Sequence, residues 1–303
     1  MSGRTWRNGR AAWCLVWAGV LGLAGGAAGA DLYVDAGALH PVPPYADWST
    51  AAVNIQDAVD WAAGGDVIWV AGGTYSSGGV WRHGGNRVGI DQAITLRSVA
   101  GPEGTWITGA PDPDSTNGLG INAVRCVWLG SGARLEGFTL ANGATWATWS
   151  TNGFGGGVCG EDETAVVSNC VLAGNAAHLG GGAHGGRLEN CVVVSNRALF
   201  GGGVCEAEVT DSRVEFNEAA SGGGGAYQGG LVGCVLAGNE ALDRGGGAYL
   251  AVLTNCTLEA NRADSGGGGA QRAAGQWPGA SQRGPGTGRG GLRFDAVELH
   301  GDR

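Results

Sequence analysis

A glycine triplet closes at Gly157, Gly182, Gly203, Gly225, Gly247 and Gly269, so the chain returns to the same composition at steps of 25, 21, 22, 22 and 22 residues. A period that short and that regular belongs to solenoids, in which each repeat is one turn of chain stacked on the next. Between the triplets runs a second register of nine residues: VSNCVLAGN (167–175), LENCVVVSN (188–196), VTDSRVEFN (209–217), LVGCVLAGN (231–239) and LTNCTLEAN (253–261). An earlier copy, LEGFTLANG (135–143), has Phe138 at the cysteine position and Gly143 at the asparagine position.

Each column has its own chemistry. The first column (Val167, Leu188, Val209, Leu231, Leu253), the fourth (Cys170, Cys191, Ser212, Cys234, Cys256) and the sixth (Leu172, Val193, Val214, Leu236, Leu258) are expected to point inward, while the mixed fifth and seventh columns face out, as side chains of a half-buried strand alternate. The ninth column is Asn175, Asn196, Asn217, Asn239 and Asn261, whose amides can bond along the stack as asparagine ladders do. The triplets supply the other bend, and the small apolar residue after each one turns back to the core. Coils rich in glycine and valine and free of lysine argue for strands against helices. The expected fold is all-β, a parallel β-helix of roughly 22-residue coils. The segment NIQDAVDWA (54–62) spaces Ile55, Ala58, Val59 and Ala62 along one helical face and reads as a short N-terminal capping helix.

The run YVDAG, then PPYADWSTAAVNIQDAVDWAAGGDVIWVAGGTY, then ITLRSVAGP and LEGFTLANG resembles the N-terminal half of secreted bacterial right-handed parallel β-helix repeat proteins of the pectate-lyase-like superfamily, over Asp31 to Ala270. The later coils also resemble the repeats of polymorphic outer-membrane proteins, with Leu172, Val193, Val214, Leu236 and Leu258 where that family has phenylalanine. The resemblance implies a right-handed coil. It leaves function open, because this scaffold carries lyases, hydrolases and adhesins alike.

Residues 1–30 have Arg4, Arg7 and Arg10, an apolar run from Ala11 to Ala24, and Ala28-Gly29-Ala30 before Asp31, which reads as a secretory signal peptide with Cys14 inside it. The expected organisation is therefore a signal peptide at 1–30, an N-terminal cap with irregular coils at 31–115, regular coils at 116–270 and an unstructured or aberrant tail at 271–303. Export to the outside of the cell or its surface follows, with no transmembrane span once the signal is removed. The full chain has a net charge of −9 and all its cations are arginine. That balance argues against nucleic acid as a partner and leaves polysaccharide or a cell-surface glycan. The cysteines of the fourth column are expected to be buried, unpaired thiols, since their Cβ vectors run parallel into the core.

Candidate sites are few. Trp146 and Trp149 lie in the excursion 144–154 and either stack on sugar rings or pin that loop to the coil wall. After each triplet comes an outward column, Cys159, His184, Cys205, Tyr227 and Tyr249, expected to be a surface stack whose Tyr227 and Tyr249 offer a sugar-binding strip. The two cysteines would be two coils apart, roughly 9.6 Å by strand spacing, too far for one zinc, so no metal site is expected. Acidic clusters at Glu161, Asp162 and Glu163, at Glu206, Glu208 and Asp211, and in the loop from Asp112 to Gly118 suggest calcium as the one conceivable cofactor. With no lysine, a lysine base for polysaccharide elimination is excluded, and no catalytic residue is assigned. The expectation is a non-catalytic display protein for adhesion or glycan contact. The alternative is a lyase or hydrolase acting on acidic polysaccharide.

Overall fold

The computed structural model describes residues 29–264, together with the backbone of 269–270 and 292–293. The expected signal peptide and most of the expected tail lie outside these residues. Three parallel sheets run the length of the molecule, and the chain visits them in turn, which is the topology of a parallel β-helix. The first sheet begins at Asp31–Val34 and Val67–Val70 and ends at Val252–Thr254; the second runs from Gly73–Tyr75 to Thr257–Glu259; the third includes Gly85–Ile90, Val124–Leu129 and the short strand after each triplet. Leu292–Arg293 adds antiparallel to Thr257–Leu258.

Register follows the columns. Leu135, Val167 and Leu188 are level with one another in the first sheet, and Leu140, Leu172 and Val193 in the second. Upstream, Ile68 and Leu96 continue the first file and Ile107 the second, so the irregular coils share the same interior. Nearly every member of these files is buried. The interior is a single column of aliphatic side chains in which truncating one leucine to alanine costs about 2–5 kcal/mol.

Two corners of each coil are built differently. At the turn from the first sheet to the second, residue three of the nine adopts a left-handed backbone, as at Asn190 (φ 53) and Asp211 (φ 48). Residue four then turns inward and donates to the carbonyl two residues back: Cys191 Sγ to Glu189 O at 3.3 Å, Ser212 Oγ to Thr210 O at 2.7 Å. At the turn from the second sheet to the third, the asparagines form an unbroken ladder. Asn196 N–H and Nδ2 both donate to Asn217 Oδ1, at 2.9 and 3.0 Å, and Nδ2 also donates to Leu172 O of the coil before. The pattern repeats from Asn175 through Asn239, and Asn261 Nδ2 donates to Leu236 O. Gly143 N–H and Cys126 Sγ bond Asn175 Oδ1 at its lower end.

The ladder explains the last glycine of each triplet. A Cβ on Gly203 would lie 3.0 Å from Asn217 Nδ2 and 2.5 Å from Gly225 O, so a side chain there would displace the amide. The first glycine has another role. Gly201 (φ 63) folds the chain back so closely over its own strand that a Cβ would sit 3.0 Å from that of Cys205.

The helix Ile55–Trp61 closes the first coils. Asn54 caps it by accepting from Asp57 N–H, and Ile55, Ala58, Val59 and Ala62 are all buried. Gln56 fastens it to the third sheet by exchanging two hydrogen bonds with the backbone of Gly89.

Candidate functional site: the outer flank of the third sheet

The outward file of the third sheet is chemically mixed: Trp128, Cys159, His184, Cys205, Tyr227 and Tyr249 stand in register. The expectation of a surface stack from Cys159 to Tyr249 fails for three of its five members. Cys159, His184 and Cys205 are 2%, 8% and 0% exposed, because a second layer covers them. That layer is the stretch between each asparagine and its triplet. Phe154, Leu179 and Phe200 pair with one another there, and Phe154 lies flat on His184 with centroids 4.2 Å apart and planes inclined by 14°.

Arg125 holds the roof in place. It is 1% exposed, and its guanidinium donates to Phe154 O, Gly155 O, Thr151 O and Asn86 Oδ1. Those partners are neutral oxygens, two of them from the end of the 144–154 excursion and one from Gly155 just after it. A buried guanidinium suits the task because its fixed fork satisfies several carbonyls at once. Burial lowers its pKa and raises that of the neighbouring Cys159 thiol.

The two excursion tryptophans part company. Trp146 turns inward and meets Trp81 edge-on at 6.0 Å, pinning the loop. Trp149 is 63% exposed and stands edge-on to His178 at 4.6 Å and 5.9 Å from Phe200. From there the rings continue along the axis, Phe200 to Tyr227 at 4.9 Å and Tyr227 to Tyr249 at 5.8 Å. Sequence reading found Trp149, Tyr227 and Tyr249 separately. It missed Phe200, whose position beside them depends on the fold-back at Gly201. Arg244 lies over the Tyr249 ring, 6.0 Å from its centroid.

Beside this strip runs an open groove of about 600 Å³ with Ala177, Ala198, Leu199 and Ala219 among its apolar lining. One edge carries a charged file on successive coils: Arg197, Glu218, Glu240 and Arg262 are in register. Arg197 donates to Asn117 O of the loop above, and Arg262 is 3.7 Å from Glu240.

A second, smaller pocket of about 250 Å³ lies at the other end of the short strands. It gathers two acidic clusters that are far apart in sequence: Glu161, Asp162 and Glu163 face Glu206 and Glu208, with His184 also in the lining. Asp162 is held below the usual carboxylate range by hydrogen bonds from Ser131 and Thr164. The Asp112 loop is elsewhere, its carboxylate taken by the backbone of Asp114 and Asn122. Glu206 was placed by sequence in an acidic cluster only. Its left-handed backbone (φ 52) lets it share a side with the preceding Cys205, so the ligand atoms of His184, Cys205 and Glu206 all lie within 4.8 Å of one another.

The cysteine file is free of disulfides among the described residues, and all seven described thiols are buried. Burial pushes Cys191 up to about 11 and Cys126 to about 12. No helix among the described residues is long and apolar enough to cross a membrane.

No family model matches the sequence, and no curated protein matches it at a significant level. Among solved structures the chain is similar to one titled "Crystal structure of pectate lyase Pel9A", with a TM-score of 0.44 and 14% identity over 80% of this chain and 70% of that one. The fold itself rests on the sheet registers given above.

Proposed function

We propose that this chain is an extracellular β-helix that presents the outer flank of its third sheet as a binding strip for an extended glycan, and performs no chemistry on it. The observation that carries this reading is the run of Trp149, Phe200, Tyr227 and Tyr249 at 5.9, 4.9 and 5.8 Å, one ring to a coil beyond the excursion. Aromatic rings with polar tips offer flat apolar faces to sugar rings, and a spacing set by the coil repeat suits a polymer better than a single small ligand. The groove alongside adds an apolar floor, while its charged file carries both signs and supplies polar contacts. The acidic surplus of the chain favours a neutral glycan over a polyanionic one. The leader-like residues 1–30 support placement outside the cell.

Affinity electrophoresis against a panel of neutral and acidic polysaccharides tests this. Replacing Trp149 and Tyr227 together by alanine is expected to weaken retention by on the order of tenfold, since each ring contributes about 0.5–1.5 kcal/mol, without moving the melting temperature much. Retention that is unchanged in the double variant would sink the reading. The alternative, a lyase or hydrolase of acidic polysaccharide, has one observation in its favour: Arg197, Glu218 and Glu240 line a single groove. Release of unsaturated uronate or new reducing ends, lost in Arg197→Ala, would establish it instead.

A further inference from the structure

We propose that His184 Nε2, Cys205 Sγ and the Glu206 carboxylate form a three-ligand site for a transition-metal dication of the zinc class, at the buried end of the acidic pocket. The three ligand atoms already lie within 4.8 Å of one another. In a tetrahedral site with bonds of about 2.0–2.3 Å they would stand roughly 3.5 Å apart. The adjustment falls to Glu206, whose side chain is 52% exposed and free to swing, while His184 and Cys205 sit on adjacent strands in register.

A second observation points independently to a ligand. His184 is nine-tenths buried, yet its Nε2 is shielded from solvent and has no hydrogen-bond partner; Glu206 Oε2, at 3.8 Å, is too distant to serve. A buried polar atom left unmatched costs about 1–3 kcal/mol, so something should repay it. The ring cannot turn away, because Phe154 is stacked on its face. Burial also holds the imidazole well below its usual range, at about 4, so at neutral pH it is the uncharged form that coordinates metal.

The donor set selects the ion. One thiolate, one imidazole and one carboxylate suit zinc or cobalt, whereas calcium and magnesium take oxygen alone. On binding, the Cys205 thiol gives its proton to solvent. The thiolate and carboxylate then neutralise the dication, and water from the pocket takes the fourth position. Glu161, Asp162, Glu163 and Glu208 around the mouth raise the local cation concentration.

The test is a titration of chelator-stripped protein with cobalt(II), followed by zinc(II). One equivalent of cobalt is expected to produce a thiolate-to-cobalt charge-transfer band with tetrahedral d–d absorption, erased by zinc and untouched by calcium. Cys205→Ala should abolish the band, His184→Gln should weaken binding at least tenfold, and Glu206→Gln by about tenfold, all with unchanged circular dichroism; Cys170→Ser should keep the full signal. Should Cys205→Ala misfold, the surface change Glu206→Gln still decides. The proposal is overturned if the wild-type protein gives no charge-transfer band, if a folded Cys205→Ala variant retains it, or if Glu206→Gln binds cobalt as tightly as wild type. None of these readouts depends on glycan binding.

Discussion

The two inner corners of each coil solve one problem with different side-chain inventories. Where the first sheet turns into the second, residue four bonds the carbonyl of its own coil, and Cys170, Cys191, Ser212, Cys234 and Cys256 all perform that task. Even Phe138 fits the position in the earliest copy, 0% exposed. Where the second sheet turns into the third, each side chain must accept twice and donate twice, to groups on both neighbouring coils. Only a planar amide of the right length has that inventory: aspartate lacks the donors and glutamine is a methylene too long. The thiol corner also touches the coil before, as Cys191 Sγ does Val167 O at 3.5 Å, yet it needs only one short donor and tolerates exchange. The amide corner needs four bonds to two neighbouring coils, and from Asn175 to Asn261 it holds one residue type.

The largest expected effect lies at the amide corner. Replacing Asn217 by leucine leaves Val193 O, Asn196 N–H and Asn196 Nδ2 without their partners in a site that is fully buried. At about 1–3 kcal/mol for each unmatched group, the loss should be on the order of 5 kcal/mol. Urea denaturation measures it, and a loss under about 1 kcal/mol would erase the contrast between the corners.

Next comes pH, to which only the thiol corner responds. A thiol whose pKa is raised in the folded state ionises first in the unfolded chain, so its contribution is complete below pH 9.0 and drains away as pH climbs through the folded value of about 11 at Cys191. That one group is worth about 3 kcal/mol by the top of the window. Melting temperature should therefore fall above pH 9, and Cys191→Ser should make the fall shallower.

The smallest effect sharpens the comparison from the other side. At neutral pH, Cys191→Ser is expected to change stability by no more than about 1.5 kcal/mol, because Ser212 shows that a hydroxyl makes the same bond in the next coil. A thermal melt of that variant beside Asn217→Leu tests both corners in one experiment.

What could be read from the sequence was whatever the period repeats. The aliphatic files, the inward thiols and the spacing of Ile55, Ala58, Val59 and Ala62 each recur at fixed intervals, and periodicity alone places them. The outer flank could not be read this way, because its cover comes from unlike segments. Phe154 arrives from an excursion without a counterpart in other coils, and what roofs His184 is decided by where that ring lands. Arg125 bonds residues 26 to 30 positions ahead and 39 behind, so nothing local marks it as buried. Glu206 escaped for a backbone reason. Strand alternation sends consecutive residues to opposite sides, and the left-handed turn at that residue cancels the rule.

The asparagine ladder also has a sense of direction. From Asn175 to Asn239 each amide gives one proton to the oxygen of the higher-numbered asparagine and the other back to a carbonyl of the coil before, and every oxygen from Asn175 to Asn261 receives from the lower-numbered side, starting with Gly143 N–H. Like compass needles laid head to tail, these amide dipoles add, so one seam of the molecule is electrically polarised from end to end as a long α-helix is. Each finished coil thus offers its successor two protons, the asparagine's backbone N–H and one of its amide protons, for the oxygen of the next asparagine.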